Sequence, residues 1–250
     1  MQPLARAIVA LADPLLRRDF VVDRCITAAP DELGLALDGV ALAAEQGDET
    51  AKEALVAVVD AMNDPRAAEA FQRLREEAAG AGLVTLDRFL RRPAHPSRAP
   101  GQSSQKPPDY GFGRPLTLGE RKSLAKKPDR DLLARLLGDP HPDVIRGVLR
   151  NPRLTEDDVV RFVARAVQRP EHLAAVARSP KWAHRPRVRL SLVLSPLTPA
   201  DLAIPLAGLL LRHELRLVVE STAVPLAVRA ACLEHLRRKY PHEGEDLPIQ

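Results

Sequence analysis

The sequence predicts an all-α protein, and three observations support that class. Only 3% of the 250 residues are aromatic, so the core must be built from Leu, Val and Ala, which suits closely packed helices. Alternation of apolar and polar residues at the strand period is nearly absent. A threonine followed three residues later by a carboxylate recurs ahead of apolar-periodic sequence, which is the capping-box signature of a helix start. We therefore expect an N-terminal helical bundle followed by a C-terminal α-solenoid of about three repeats, each with about three helices.

The capping-box motif occurs at three places with repeat-like spacing. Its threonines are Thr117, Thr155 and Thr198, which stand 38 and 43 residues apart. This spacing lies in the range of helical solenoid repeats. In the third copy, Pro199 is predicted at the first helical position, where its missing N–H costs nothing.

The segments between the boxes also align, because apolar residues recur in the same register of each copy. Short helices are marginal alone, so we expect these residues to be buried where neighbouring helices stack. In the last helix of each copy the aligned columns are Val144, Val188 and Val228; Val148, Leu192 and Cys232; and Leu149, Val193 and Leu233. In the preceding helix they are Leu133, Leu173 and Leu215; Leu136, Val176 and Val218; and Leu137, Ala177 and Val219.

With these repeats, residues 116–239 resemble an α-solenoid of the HEAT or armadillo kind and are also similar to the leucine-rich-repeat-variant proteins of bacteria. The N-terminal cysteine cluster that holds an iron–sulfur centre in the latter proteins has no counterpart, since Cys25 and Cys232 are the only cysteines. The resemblance implies a surface that binds another macromolecule, as in an adaptor or regulator of a small GTPase or of a polarity and motility system. It assigns no individual functional residue.

The composition divides the chain into four predicted segments. Residues 1–91 form an N-terminal helical domain, 92–115 a Pro-rich linker, 116–239 the solenoid and 240–250 a frayed tail. Residues 1–91 show no internal repeat, so a compact bundle and an irregular start of the solenoid both fit. The helices predicted there are residues 3–18, residues 31–46, a helix from about Thr50 through Met62, a helix from Asp64 to about Gly80, and a short piece with Leu86, Phe89 and Leu90.

Charge is distributed unevenly along the chain. Residues 1–91 hold 10 Lys and Arg against 16 Asp and Glu, whereas residues 116–250 hold 23 against 16. Either the two halves dock on each other or the basic half meets an acidic partner. The apolar stretch near the N-terminus is too short for a signal peptide or a membrane span, and two distant cysteines fit a reducing compartment, so we expect a cytoplasmic protein.

No sequence pattern predicts catalysis. The chain has no P-loop, no G-x-S-x-G, no G-x-G-x-x-G and no H-E-x-x-H, and its seven histidines are scattered. The adjacent Asp157 and Asp158 fall in the first turn of a predicted helix, where carboxylates complement the macrodipole. We therefore predict a non-enzymatic protein with no catalytic, cofactor-binding or metal-binding residue.

Four arginines are the first candidate binding residues. They stand one turn apart in pairs, and an aligned row of them would form a basic stripe that is a solvated face, a site for an acidic protein surface or a site for nucleic acid. These residues are Arg146, Arg150, Arg161 and Arg165.

Apolar residues supply the second group of candidates. Leu190 and Leu194 replace the first arginine pair in the second copy, which predicts a helix covered by the N-terminal half or by another protein. Tyr110 and Phe112 are aromatic residues in the polar linker, and they either cover the first solenoid helix or bind a groove of a partner.

The functional hypothesis is a protein–protein interaction adaptor or regulator whose partner carries an acidic surface. The alternative is a nucleic-acid-binding helical-repeat module that uses the basic stripe. No membrane association is expected, and the sequence does not set the oligomeric state.

Overall fold

The computed structural model describes residues 3–91, 107–165 and 168–239. All regular elements in these ranges are helices, with no strand among them, which confirms the all-α class. The chain forms two compact units, Met1–Pro96 together with Ala200–Gln250, and Ser97–Pro199. This division differs from the predicted segments, because the third repeat groups with the N-terminal helices. Most of the predicted linker, residues 92–106, and the tail, residues 240–250, lie outside the described residues.

Six α-helices and one 3₁₀ turn form the described N-terminal part. They are α1 (Pro3–Val9), α2 (Pro14–Thr27), α3 (Pro30–Glu45), α4 (Glu49–Met62), the 3₁₀ turn Pro65–Ala67, α5 (Ala68–Gly80) and α6 (Val84–Leu90). The single helix predicted for residues 3–18 is wrong. Asp13 caps a new helix by accepting a hydrogen bond from the Leu15 N–H at 2.8 Å, and Pro14 occupies its first turn.

The start of α4 also differs from its prediction. Asp48, and not Thr50, is the N-cap, since its Oδ1 accepts a hydrogen bond from the Ala51 N–H at 3.0 Å. The predicted box partner Glu53 instead pairs with Arg17 of α2. Residues 54–61 of α4 are buried without interruption, because α1, α2 and α3 all pack against this helix. Helix α4 is therefore the centre of the N-terminal core.

The unit Ser97–Pro199 contains two successive sets of helices. They are α7 (Leu118–Leu124), α8 (Arg130–Leu136) and α9 (Pro142–Leu149), then α10 (Glu156–Val163), α11 (Pro170–Ala177), the short α12 (Pro180–Ala183) and α13 (Pro186–Leu194). Both predicted capping boxes are present. Thr117 caps α7 with Glu120, and Thr155 caps α10 with Asp158. Helix α9 packs against α11, and α10 packs against α13.

The third set contains α14 (Ala200–Ala207), α15 (Arg212–Glu220) and α16 (Leu226–Lys239). The third predicted capping box is wrong, because α14 begins at Ala200 and the buried Thr198 hydroxyl has no hydrogen-bond partner among the described residues. A buried arginine of α6 ties this set to the N-terminal helices. Arg88 is 1% exposed, with Nη1 3.1 Å from Glu45 Oε1 of α3 and Nε 3.4 Å from Glu234 Oε1 of α16.

The aligned apolar columns are buried in all three sets. The nine residues of the columns that begin at Val144, Val148 and Leu149 are at most 2% exposed, and those that begin at Leu133, Leu136 and Leu137 at most 6%. This confirms the predicted helix register. Cys232 is completely buried, and burial raises the pKa of its thiol to about 12, so it is an inert, apolar core residue.

No helix in the part of the chain that the structure describes combines the length and the apolar character that crossing a membrane requires.

Candidate functional site

A groove lined by four arginines lies between α8 and α10 in the unit Ser97–Pro199. Its volume is about 470 Å³, and we call it the arginine groove. The leucines at its base are buried core residues, so the groove has an apolar floor beneath charged walls. Two carboxylates, from Asp131 and Asp158, also line it. The arginines are Arg130, Arg153, Arg161 and Arg165, and the leucines are Leu133, Leu137 and Leu154.

Helix capping places two of the arginines. Asp129 caps α8 through a 3.1 Å hydrogen bond from the Leu132 N–H, so Arg130 is the first residue of that helix. Thr155 and Asp158 cap α10, and Arg161 follows Asp158 by three residues on the same helical face. The two helix starts therefore bring Arg130 and Arg161 to the same groove.

Asp158 connects the two walls of the groove. Its Oδ1 accepts a 2.7 Å hydrogen bond from Arg161 Nη2, and its Oδ2 accepts a 3.3 Å hydrogen bond from Arg130 Nη2. The Thr155 hydroxyl and backbone N–H also donate to Oδ2, at 2.6 and 3.1 Å. Burial raises the pKa of the Asp158 carboxyl, but the hydrogen bonds from Thr155 and Arg161 and the charge of Arg130 outweigh it, so the pKa is lowered. Asp158 is thus a fixed anion between two arginines.

The other two arginines are held differently. Arg165 donates from Nη1 to the Leu137 carbonyl at 3.3 Å, and its guanidinium carbon lies 5.9 Å from the centre of the Phe162 ring. Arg153 is exposed in the turn before α10, and it forms no ion pair with any residue in the described ranges. Its guanidinium therefore offers all of its donors to a ligand.

Only half of the predicted arginine stripe belongs to the groove. Arg161 and Arg165 line it. Arg146 on α9 and Arg150, the residue that follows α9, are exposed and do not line it. Arg146 pairs with Asp143 on its own helix. Leu190 and Leu194 are half-buried on α13, which packs against α10 and α11.

The sequence prediction missed Arg130 and Arg153. They lie on a different helix and in a turn, and helical spacing relates residues of one helix only. No signal in the sequence showed that α8 and α10 face a common groove.

The two linker aromatics have opposite environments. Tyr110 is 7% exposed and donates its hydroxyl hydrogen bond to Asp139 Oδ2 at 2.5 Å, and Asp139 also binds Arg121 of α7. Phe112 is 52% exposed and stays a candidate contact for a partner. The lone tryptophan, Trp182, is 2% exposed and donates from Nε1 to the Leu149 carbonyl at 2.8 Å, so it is a packing residue.

No group of three or more His, Cys, Asp or Glu side chains within residues 3–91, 107–165 and 168–239 is arranged to hold a metal ion. The chemistry that the arginine groove supports is the binding of anionic groups by charge-assisted hydrogen bonds. No model of a known protein family, no curated protein and no solved structure matches the chain.

Proposed function

We propose that the chain is a non-catalytic interaction protein. Its positively charged unit, Ser97–Pro199, binds an acidic surface of another protein. The observation that carries this proposal is the separation of charge between the two compact units. Ser97–Pro199 holds 20 Lys and Arg against 10 Asp and Glu, and the rest of the chain holds 17 against 23. A basic surface of this size attracts and orients an acidic partner.

The repeated helix sets are proposed to stack as a HEAT- or armadillo-like α-solenoid. The shared buried register and the packing of α9 on α11 and of α10 on α13 support this arrangement for the first two sets. Stacked repeats present a long surface, which suits protein binding. The role that the resemblance implies is a cytoplasmic adaptor or regulator, for example of a small GTPase or of a polarity and motility system.

Nucleic-acid binding is the second candidate function, because the same unit carries a net charge of +10. The lining of the arginine groove disfavours it. Arginines, aspartates, leucines and one alanine line the groove, so unpaired bases would find no aromatic ring on which to stack.

Affinity capture on the full-length chain tests the first function. We expect a partner with an acidic surface that binds reproducibly, survives nuclease treatment, and elutes as salt is raised from about 50 to about 200 mM. A bait with Arg146, Arg150, Arg153 and Arg161 changed to glutamate should lose that partner by at least about tenfold, because four attractive charges become repulsive.

A titration of random-sequence duplex DNA separates the two candidates. We expect the wild-type chain to bind DNA more weakly than about 100 µM at physiological salt, which is the weak end of non-specific binding. Micromolar affinity with a steep loss on adding salt would favour nucleic acid instead. Capture that is unchanged in the four-glutamate bait, or abolished by nuclease, would contradict the protein-binding function.

A further inference from the structure

The arginine groove has more positive charge than its own carboxylates neutralise. Four guanidinium groups face two carboxylates, and Asp158 is shared between Arg130 and Arg161. The side chains of Arg130 and Arg161 are 59% and 71% exposed. The groove therefore keeps an excess of about two positive charges that solvent, or a ligand, must balance.

Most of the hydrogen-bond donors in the groove are also unused. A guanidinium carries five N–H donors in a planar fork. Within the described residues, one nitrogen of Arg130, one of Arg161 and one of Arg165 donate a hydrogen bond, and the guanidinium of Arg153 donates none. The remaining donors match planar, two-oxygen acceptors such as carboxylates.

The size and floor of the groove restrict the ligand further. A volume of about 470 Å³ is in the range of pockets that hold small ligands or a few side chains, so the groove itself takes only a short segment of a partner protein. The exposed Ala134 and the largely buried Leu137 and Leu154 line the groove and offer contacts to aliphatic carbon atoms of a ligand. Aspartate and glutamate side chains carry both a carboxylate and aliphatic carbon atoms, so they match this lining.

We propose that the arginine groove binds a short acidic peptide segment of the partner protein, with its carboxylates on Arg153 and Arg161. This inference rests on the proposed function and deepens it by naming the site and the ligand class. Asp158 is a positioning residue in this arrangement. It is anchored to the start of α10 by Thr155, and it holds Arg130 and Arg161 at the groove from two different helices.

Fluorescence anisotropy with a short, fluorescein-labelled peptide rich in glutamate and alanine tests the site on the full-length chain. The variant Arg153→Ser/Arg161→Ser is expected to weaken binding at least about tenfold, since it removes the charge-assisted hydrogen bonds of two guanidinium groups. The matched control is Lys126→Ser/Lys127→Ser. Both lysines are exposed in the same unit, do not line the groove, and carry the same total charge, so a change of about twofold or less is expected.

The variant Asp158→Asn separates positioning from overall charge. It removes one negative charge from the groove, so attraction by charge alone would tighten peptide binding. If Asp158 positions Arg130 and Arg161, binding weakens instead, by about threefold or more. Asparagine keeps an amide oxygen that can accept from Thr155 in the capping box, and an unchanged Tm would show that the fold is intact.

Four results would overturn the inference. Equal losses in the serine pair and the lysine control would mean that net charge alone attracts the peptide. Tighter binding by Asp158→Asn would contradict the proposal that Asp158 positions the arginines. No peptide binding by the wild-type chain would contradict an acidic peptide as the ligand. Tighter binding of a single-stranded oligonucleotide that depends on Arg153 and Arg161 would assign the groove to nucleic acid. The first three results would not contradict the proposed function, because affinity capture of the partner tests that function separately. The groove inference and the proposed function can therefore fail independently.

Discussion

Replacing Asp139 with asparagine is expected to destabilise the unit Ser97–Pro199 by about 3–5 kcal/mol. Asp139 has no exposed surface, and Arg121 Nη1 lies 2.7 Å from each of its oxygens. The Tyr110 hydroxyl donates to it at 2.5 Å and the His141 N–H at 2.8 Å. Asparagine keeps the shape but removes the charge, which leaves the buried guanidinium without a counter-ion. Asp139 is therefore the residue on which the cover formed by Tyr110 depends.

Urea unfolding followed by tryptophan fluorescence measures this loss. Trp182 is the only tryptophan and is buried in the same unit, so its emission reports that unit directly. Tyr110→Phe is the control, and it should cost about 1 kcal/mol because it removes one hydrogen bond and keeps the ring. In Asp139→Asn/Arg121→Met both charges are gone, so it should be less destabilised than Asp139→Asn alone. A loss for Asp139→Asn no larger than that for Tyr110→Phe would contradict the stabilising role of the ion pair.

The sequence predicted the local structure of the repeats because that structure depends on neighbouring residues. The Thr117 and Thr155 hydroxyls cap their helices by accepting from the N–H groups of Glu120 and Asp158, whose carboxylates accept from the threonine N–H groups in return. The buried columns follow from helical periodicity. The prediction of a helix start failed where a second residue nearby could also cap the helix. Asp48 caps α4 in place of Thr50, and Asp13 with Pro14 starts a helix inside the segment predicted as one.

The grouping of helices into units depends on contacts that are distant in the chain. Arg88 meets Glu45 and Glu234, which lie on helices from opposite ends of the sequence. Nothing in the apolar pattern of the third repeat distinguishes a helix that packs on the second repeat from one that packs on α6. The boundary at residue 200 therefore could not be predicted from periodicity.

In the arginine groove, too, the residues related by local spacing were predicted and those brought together by the fold were not. Arg161 and Arg165 were predicted because they stand one helical turn apart in the sequence, although α10 ends at Val163 and Arg165 lies just beyond it. Arg130 and Arg153 were not predicted, because another helix and a turn contribute them. The residue that joins the walls, Asp158, was predicted correctly as the carboxylate of the Thr155 capping box. Its pairing with Arg161 follows from the spacing of three residues on α10, whereas its contact with Arg130 is visible only once α8 and α10 are placed together.

Replacing Asp60 with asparagine is expected to stabilise the unit that contains α4 by up to about 4 kcal/mol at pH 8. Asp60 is 4% exposed, and neither carboxylate oxygen has a hydrogen-bond partner among the described residues. Burial raises its pKa to about 7, against a smaller opposing effect from the charge of Arg18. The folded state therefore resists ionising this carboxyl, and asparagine removes the charged form.

The direction of the pH dependence follows from the two pKa values. In the unfolded chain the Asp60 carboxyl loses its proton near its ordinary pKa of 3.8, whereas the folded chain keeps it until about pH 7. The folded state thus binds more protons between these values, and the contribution of Asp60 to the free energy of unfolding falls as the pH rises through this window. Above about pH 7 both states are ionised, and the full penalty remains.

Chemical unfolding of the wild type and Asp60→Asn, followed by circular dichroism from about pH 4 to about pH 8, measures this difference. The two free energies of unfolding should be similar near pH 4, where the wild-type carboxyl is protonated in the folded state, and diverge as the pH rises. Asp23→Asn, which removes an exposed carboxylate of α2, is the control for the loss of one negative charge. Parallel profiles for Asp60→Asn and the wild type would show that the Asp60 carboxyl has the same pKa in the folded and unfolded states, as a solvated carboxylate has. A wild type that gains stability relative to Asp60→Asn as the pH rises would show a paired carboxylate. Either result would contradict the uncompensated buried charge.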